Sequence, residues 1–235
     1  MPVVVRGKRL KADLQGWDPK VALPLADAIG RVKAFKKTKF DQSVDLCIHL
    51  GIDPKQADQQ IRGSLSLPHG IGVSKRVVAF CTADKIEAAK EAGATEAGGE
   101  ELVAKIEGGW MDFDVAVASP DMMRVVSKLG KTLGPKGLMP SPKSGTVTPD
   151  VIKAVKEYGA GKVEFRNDAG GNIHAVVGKM SFDHKKLEEN AQAFIDQIVK
   201  MKPSAAKGNY VKKISISGTM TPGVNVAFVQ AAPAE

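Results

Sequence analysis

The feature that most constrains this chain is a short segment in which apolar and polar side chains alternate. Residues 43–50 read Ser-Val-Asp-Leu-Cys-Ile-His-Leu, so every second side chain is apolar. A period of two is typical of a β-strand with one buried face. The cations that precede this segment are Arg31, Lys33, Lys36, Lys37 and Lys39. Because charged side chains do not lie in cores, we expect these cations at the rim of a sheet whose polar face can meet a polyanion.

Net charge divides the chain into three parts. The formal charge is +8 and the pI is near 9.4, which favours an anionic partner, most often nucleic acid. Residues 1–67 carry a net charge of +5, residues 68–159 carry 0 and residues 160–235 carry +3. We therefore interpret the neutral middle as an insertion, hinged near Pro68 and Gly159, and the outer segments as one discontinuous α+β domain that binds the polyanion.

Hydrophobic periodicity predicts the elements of the outer segments. Apolar spacings of three and four predict one helix after Pro24 and another over residues 187–198. Alternation predicts a strand over residues 212–217 and a β-hairpin over residues 163–177. A short helix is expected over residues 55–61. The first twenty residues are basic and interrupted by glycine and proline, which predicts an irregular, mobile arm; a contribution to polyanion binding is the alternative interpretation.

The middle segment alternates apolar runs with helical patterns. Residues 77–81 and 113–118 have the composition of strands that are buried on both faces. Helical patterns follow both runs, which predicts a small parallel α/β domain. Glycine-rich stretches at residues 69–72 and 134–137 lack the position or spacing of a dinucleotide fingerprint or a P-loop. A nucleotide-dependent enzyme built on this domain is the alternative function.

No catalytic, cofactor or metal site is expected. Cys47 and Cys81 lie in strand-like runs and read as reduced, buried thiols, and the histidines lack the paired spacing of a zinc site. Asp112 and Asp114 flank a strand without a base or nucleophile beside them. No run of about eighteen apolar residues occurs, and the N-terminus lacks a long apolar core. We therefore expect a soluble, cytoplasmic protein without a membrane partner.

Several candidate binding residues also have a structural interpretation. By strand parity, Phe40 shares a face with the buried side chains, so a core role and a role at an RNA surface both stay open. Asp168 could cap its turn, and His174 could be a structural histidine. Thr219 and Met220 follow a strand, where a hydroxyl and exposed backbone can reach ribose and phosphate. Aromatic content is only 5%, which favours a folded RNA over a stack of unpaired bases.

Eight segments of the chain resemble the bacterial ribosomal protein L1 family of the large subunit. They are residues 39–53, 58–63, 67–70, 118–121, 133–140, 145–147, 165–168 and 206–208. The most specific is the run Gly-Pro-Lys-Gly-Leu-Met-Pro at residues 134–140. The resemblance runs in order over about residues 24–221.

This resemblance implies an RNA-binding domain that joins both ends of the chain and an inserted Rossmann-like, three-layer α/β domain. It implies a monomer within the ribosome that binds the stalk region of large-subunit ribosomal RNA near the exit site. Such a protein assists the release of deacylated exit-site tRNA and represses translation of its own operon mRNA. The positions carried over to the RNA-binding face are Lys39, Phe40, Ser43, Arg166, Asp168, His174, Thr219 and Met220.

Two departures from the family pattern stand out. The family usually has glycine after the Thr-Met pair, whereas this chain has Thr221 and Pro222 before Gly223. The first twenty residues match the family poorly, so the resemblance assigns them no role.

Overall fold

The structure is a computed structural model that describes residues 7–15, 18–36, 38–206 and 208–228. The chain forms two compact units. Unit 1 comprises Met1–Ile61, Leu67–Ile71 and Phe165–Glu235, and unit 2 comprises Arg62–Ser66 and Gly72–Glu164. Lys37 in the basic cluster and Lys207 in the last family-like segment lie outside the described residues.

Helices and strands are numbered in chain order. The α-helices are α1 Lys8–Leu14, α2 Leu25–Ala34, α3 Ile86–Glu91, α4 Glu100–Glu107, α5 Met123–Val126, α6 Gly130–Leu133, α7 Val151–Gly159 and α8 His184–Lys200. The strands are β1 Ala22–Leu23, β2 Ser43–Leu50, β3 Arg62–Leu65, β4 Val77–Phe80, β5 Glu96–Gly98, β6 Val115–Ala118, β7 Val163–Arg166, β8 Asn172–Lys179, β9 Val211–Gly218 and β10 Val224–Val226. Within the described ranges, no helix has the length and apolar character needed to span a membrane.

Unit 1 is built on a five-stranded sheet in the order β1-β10-β9-β2-β8. The predicted strand β2 lies inside this sheet and pairs antiparallel with both β8 and β9. Its apolar residues Val44, Leu46 and Ile48 are almost completely buried. Helices α2 and α8 pack against the strands and against each other. The sheet therefore combines strands from the beginning and from the end of the chain.

Helix α8 shows why this sheet is covered on one face. Its residues Leu187, Ala191, Phe194 and Ile198 recur at spacings of three and four and are fully buried. The ring of Phe194 meets that of Phe165 edge to face, with centroids 5.3 Å apart. The amphipathic pattern thus directs one side of α8 onto the apolar face of the sheet.

Unit 2 contains a three-stranded parallel sheet in the order β5-β4-β6. All four residues of β4 and all four of β6 are buried. Val78 and Phe80 pack with residues of α4 on one face, whereas Val77 and Ala79 pack with residues of α7 on the other. Continuous apolar strands form here because helices cover both faces of the sheet.

The predicted β-hairpin over residues 163–177 is wrong in its pairing. Strand β7 pairs with β3 in a separate two-stranded sheet, and β8 pairs with β2. A single bridge between Asn167 and Ile173 links the two predicted arms. Alternation indicates which face of a strand is buried, but it does not indicate which strand lies beside it.

Two other local expectations also differ from the structure. Residues 55–61 form only a 3-10 turn at Ala57–Gln59, because side chains satisfy the loop backbone, as when Gln59 Oε1 accepts from Asp53 N–H at 2.8 Å. The basic arm, expected to be irregular, contains helix α1 in its described part. This helix occupies the stretch between Gly7 and Gly16, which holds no helix breaker.

Candidate nucleic-acid interface

The candidate interface begins with the polar face of β2. Ser43, Asp45, Cys47 and His49 alternate with the buried residues and remain partly exposed. The pairing register places side chains of β8, β9 and β10 beside them. One row across the sheet, for example, contains His174, Cys47, Ser215 and Asn225. A polar, partly exposed surface therefore covers the face of the sheet opposite to its apolar side.

At one end of this face, five residues form the Ser43 cluster. Its members are Gln42, Ser43, Lys179, Thr219 and Met220. Ser43 N–H donates to Thr219 Oγ1 at 3.1 Å, and Thr219 N–H donates to the Ser43 carbonyl at 3.0 Å. Lys179 Nζ donates to Ser43 Oγ at 2.9 Å. Met220 N–H donates to Gln42 Oε1 at 2.8 Å, while half of the Met220 side chain stays exposed. The cluster thus offers a hydroxyl, a cation and an apolar side chain together.

Lys39 and Phe40 lie in the loop that leads into this cluster. Phe40 is 54% exposed, and β2 begins three residues later, so the strand parity that left a core role open does not apply to it. Phe40 and Met180 line a pocket of about 600 Å³ that also includes Gln42 and Asp41. The pocket wall is braced by Ser181, whose hydroxyl donates to Asp41 Oδ2 at 2.7 Å.

A second group of candidate residues lies farther along the same face. Asp168 caps its turn, because its Oδ1 accepts from the N–H groups of Gly170 and Asn172 at 2.8 and 2.7 Å. Gly171, with φ of 75°, lets the chain turn back into β8. The Asn172 amide is the main cause that lowers the pKa of Asp168 to about 2. His174 Nε2 lies 3.6 Å from Asp168 Oδ2.

The structure therefore places the eight predicted positions at several separate points rather than bringing them all together. Thr219 bonds to Ser43 and the adjacent Met220 bonds to Gln42, whereas Asp168 and His174 form a separate pair. Because Thr219 contacts Ser43 and His174 pairs with Cys47, the two groups are about 14 Å apart along β2, at about 3.4 Å per residue.

Arg166 ends strand β7 and is exposed. The adjacent Asn167 is buried and ties this segment to Ile61, with Ile61 N–H donating to Asn167 Oδ1 at 2.8 Å. Among the described residues, no hydrogen bond or ion pair joins the Arg166 side chain to either group. Arg166 therefore belongs to neither group, although it precedes Asp168 by only two residues.

Sequence reasoning missed residues that the fold adds to the face. Gln42 is almost fully buried. The sequence feature that could have identified it is an amide side chain at a position where strand parity predicts an apolar one. Lys179 lies opposite Ser43 only because β8 carries an irregularity opposite Val44 and Asp45. Burial raises the pKa of Asp45, while His174 and Lys179 oppose that rise. The face is consequently mixed in charge rather than uniformly positive.

The unusual Thr221 and Pro222 fit the local backbone without distortion. Thr221 Oγ1 accepts from Gly218 N–H at 2.7 Å and closes the turn after β9. None of the described residues other than glycine has a positive φ. The turn therefore needs no glycine at position 221.

The two cysteines differ in position. Cys81 is buried, as expected, whereas Cys47 is partly exposed on the polar face, and burial raises the pKa of both thiols. Both are free. Across the described ranges, no three His, Cys, Asp or Glu residues are grouped in a way that could hold a metal ion.

Comparison with known proteins gives one consistent result. The model of the Ribosomal protein L1p/L10e family matches residues 32–222. The large ribosomal subunit protein uL1 of Nocardioides sp. (strain ATCC BAA-499 / JS614) is 50% identical over 222 residues, covering 94% of this chain and 92% of the relative. The uL1 protein of Cutibacterium acnes (strain DSM 16379 / KPA171202) is 52% identical over 209 residues, covering 89% and 90%.

Proposed function

Because this chain belongs to the Ribosomal protein L1p/L10e family, we propose that it binds the stalk region of large-subunit ribosomal RNA through the polar face of unit 1. It is a uL1 protein of the large ribosomal subunit in the cytoplasm and not an enzyme. The observation that carries the proposal is the Ser43 cluster, which places a hydroxyl, a cation and an exposed methionine at one end of the polar face.

The chemistry of the face suits a folded RNA. Lys39 is exposed, and Lys179 lies in the Ser43 cluster, so both can approach phosphates, whose neutralisation supplies most of the sequence-independent affinity. Exposed Thr219 can exchange a hydrogen bond with a ribose 2′-hydroxyl, the group that distinguishes RNA from DNA. Phe40 and Met220 are each about half exposed and supply apolar contact with the shallow minor groove. Recognition by shape, phosphate and ribose follows from these groups.

We further propose that unit 1 corresponds to an RNA-binding domain and unit 2 to an inserted, Rossmann-like domain, near the predicted boundaries of residues 68–159. Support comes from the parallel sheet of unit 2, whose two faces carry separate helix-covered cores. Unit 2 would assist at the stalk and contact the departing exit-site tRNA. A similar RNA structure in the operon mRNA would bind the same face of unit 1 and bring about repression.

The first test compares two exposed apolar side chains in the full-length protein. Met220 in unit 1 is 50% exposed, and Val73 in unit 2 is 49% exposed. We expect Met220→Ala to weaken binding to a stalk RNA fragment by at least about tenfold, or about 1.4 kcal/mol, because an apolar contact at the interface is lost. Val73→Ala should leave the affinity within about twofold of the original value. Filter binding measures both, and equal affinities for both variants would remove Met220 from the interface.

Salt dependence tests the same proposal independently. The logarithm of the association constant should fall by about 0.9 for each log unit of salt and each phosphate neutralised in a duplex. Affinity that does not change with salt would contradict a phosphate-binding face.

A fragment of the operon mRNA should compete with the stalk RNA, and the Met220→Ala variant should weaken both complexes together.

A further inference from the structure

Helix α1 lies before the region that the family model matches, which begins at residue 32. Its side chains nevertheless lie on two sides of the helix that differ in burial. Lys8 and Lys11 are exposed, whereas Arg9, Leu10 and Asp13 are partly buried. Spacings of one and four place the partly buried residues on one face of the helix. Helix α1 is therefore docked on unit 1 and does not project from it as a free arm.

The docked side of α1 bonds to two separate parts of the candidate interface. Arg9 Nη2 donates to the Met220 carbonyl at 2.7 Å, across 211 positions of sequence. Lys36 N–H donates to Asp13 Oδ1 at 3.2 Å. Lys36 lies between α2 and β2 in the 35–42 loop, whose described residues 35–36 and 38–42 also include Lys39 and Phe40. One helical turn thus bonds to two of the backbone segments that carry predicted RNA contacts.

Arg9 adds a hydrogen bond to the backbone of the turn at residues 219–221. The N–H groups of that turn all have partners: Thr219 donates to the Ser43 carbonyl, Met220 to Gln42 Oε1 and Thr221 to the Gly218 carbonyl. The Met220 carbonyl accepts from Arg9. A hydrogen bond from a charged donor is stronger than one between neutral groups. The backbone of Met220 is therefore held on both sides while its side chain stays exposed.

We propose that α1 is a clasp that holds the 35–42 loop and the 219–221 turn in the geometry that binds RNA, with Arg9 and Asp13 as positioning residues. This inference rests on the proposed function of the face. Ordering loops before binding reduces the entropy lost in the complex, so the clasp raises affinity without touching the RNA. Arg9 Nη2 is taken up by the Met220 carbonyl, and we assign Arg9 a positioning role rather than a phosphate contact.

The test uses full-length Arg9→Ala, Arg9→Lys and Asp13→Ala, with Lys11→Ala as a charge-matched control on the exposed side of α1. We expect Arg9→Ala to weaken stalk RNA binding about tenfold, near the low end for a hydrogen bond from a charged group. Its salt slope should match that of the original protein, since no phosphate contact is lost. Arg9→Lys should recover part of the affinity, and Lys11→Ala should weaken binding less than Arg9→Ala does.

Hydrogen exchange in the free protein gives a readout that does not depend on RNA. The amides of Met220 and Thr221 should exchange faster in Arg9→Ala, and those of the 35–42 loop should exchange faster in Asp13→Ala, while β2 stays protected. Unchanged affinity and exchange in Arg9→Ala and Asp13→Ala would overturn the clasp. A salt slope reduced by about 0.9 in Arg9→Ala would also overturn it, by making Arg9 a direct phosphate contact.

The outcomes separate this inference from the proposed function. If the original protein fails to bind the stalk RNA, the proposed function is wrong, whatever the exchange data show. If the original protein binds and the Arg9 and Asp13 variants bind equally well, only the clasp is wrong. Because α1 contains no fully buried residue, these substitutions should leave the melting temperature of the protein nearly unchanged.

Discussion

The sheets of the two units use their faces differently. In β2 of unit 1, buried and partly exposed residues alternate along the whole strand. In β4 of unit 2, every residue is buried. The first sheet has helices on one face and a polar surface on the other, whereas the second has a separate core on each face. A sheet covered on one side can offer a broad surface to a partner, while a sheet covered on both sides offers only its edges and loops.

The largest expected effect is the loss of stability when neighbouring residues of β2 and β4 are replaced by alanine. In β2, Leu46→Ala should lower the free energy of unfolding by about 2–5 kcal/mol, and Cys47→Ala by less than about 1 kcal/mol, because only Leu46 is in the core. In β4, Val77→Ala and Val78→Ala should each cost about 1–3 kcal/mol, since both side chains are fully buried. Urea denaturation measures all four. A loss for Cys47→Ala as large as that for Leu46→Ala would break the comparison.

The next largest expected effect on stability concerns two fully buried tyrosines, one in each unit. In unit 2, Tyr158 donates from its hydroxyl to the Ser144 carbonyl at 2.8 Å, and burial raises its pKa to about 12. In unit 1, burial also raises the pKa of Tyr210, but its hydroxyl has no hydrogen-bond partner among the described residues.

We expect Tyr158→Phe to destabilise the protein by about 1–3 kcal/mol, because the Ser144 carbonyl loses its buried donor. Tyr210→Phe should be neutral or stabilising by about 1 kcal/mol, because it removes an unpaired buried hydroxyl. Thermal unfolding of the paired variants measures the difference. A loss of stability in Tyr210→Phe similar to that in Tyr158→Phe would show that the Tyr210 hydroxyl has a partner.

The smallest effect concerns two exposed carboxylates, one in each unit. Hydrogen bonds, above all from the Asn172 side chain, lower the pKa of Asp168 to about 2, and hydrogen bonds from Arg76 lower the pKa of Asp114. Asn172→Ala should raise the pKa of Asp168 towards its ordinary value of 3.8. The pKa of Asp114 should not change. Titration followed by NMR measures both, and an unchanged Asp168 would exclude Asn172 as the cause.

The sign of the accompanying pH effect follows from the lowered pKa of Asp168. The folded state favours the carboxylate, so this contribution to stability is complete above the ordinary pKa. It is lost as the pH falls from about 4 through about 2. The resulting change in the stability of the protein should be small, because solvent screens an exposed carboxylate. Asn172→Ala should remove most of it.

Elements with a clear period were predictable, and their partners were not. The alternation over residues 43–50 and the spacing over residues 187–198 correspond to β2 and α8, because burial of one face requires those periods. The hairpin over residues 163–177 was mispaired, since alternation does not contain information about neighbouring strands. The helix expected at residues 55–61 was replaced by a turn, because glutamine side chains bond to the loop backbone.

The candidate site divides in the same way. Thr219 and Met220 were named by their place at a strand end and by resemblance to the family, and the structure puts both beside Ser43. Gln42 and Arg9 were not among the predicted site residues, because each acts through a hydrogen bond to backbone that is distant in sequence. No local pattern encodes such a bond.

By itself, the sequence determined the family, the separation of a neutral middle segment from basic outer segments, and which face of each periodic element is apolar. These properties depend on side-chain chemistry and spacing, which the chain carries locally. Only the tertiary structure decided which strands are neighbours, that Lys179 lies against Ser43, and that α1 bonds to two segments of the candidate interface. Contacts between residues far apart in sequence depend on how the whole chain packs, so no local pattern specifies them.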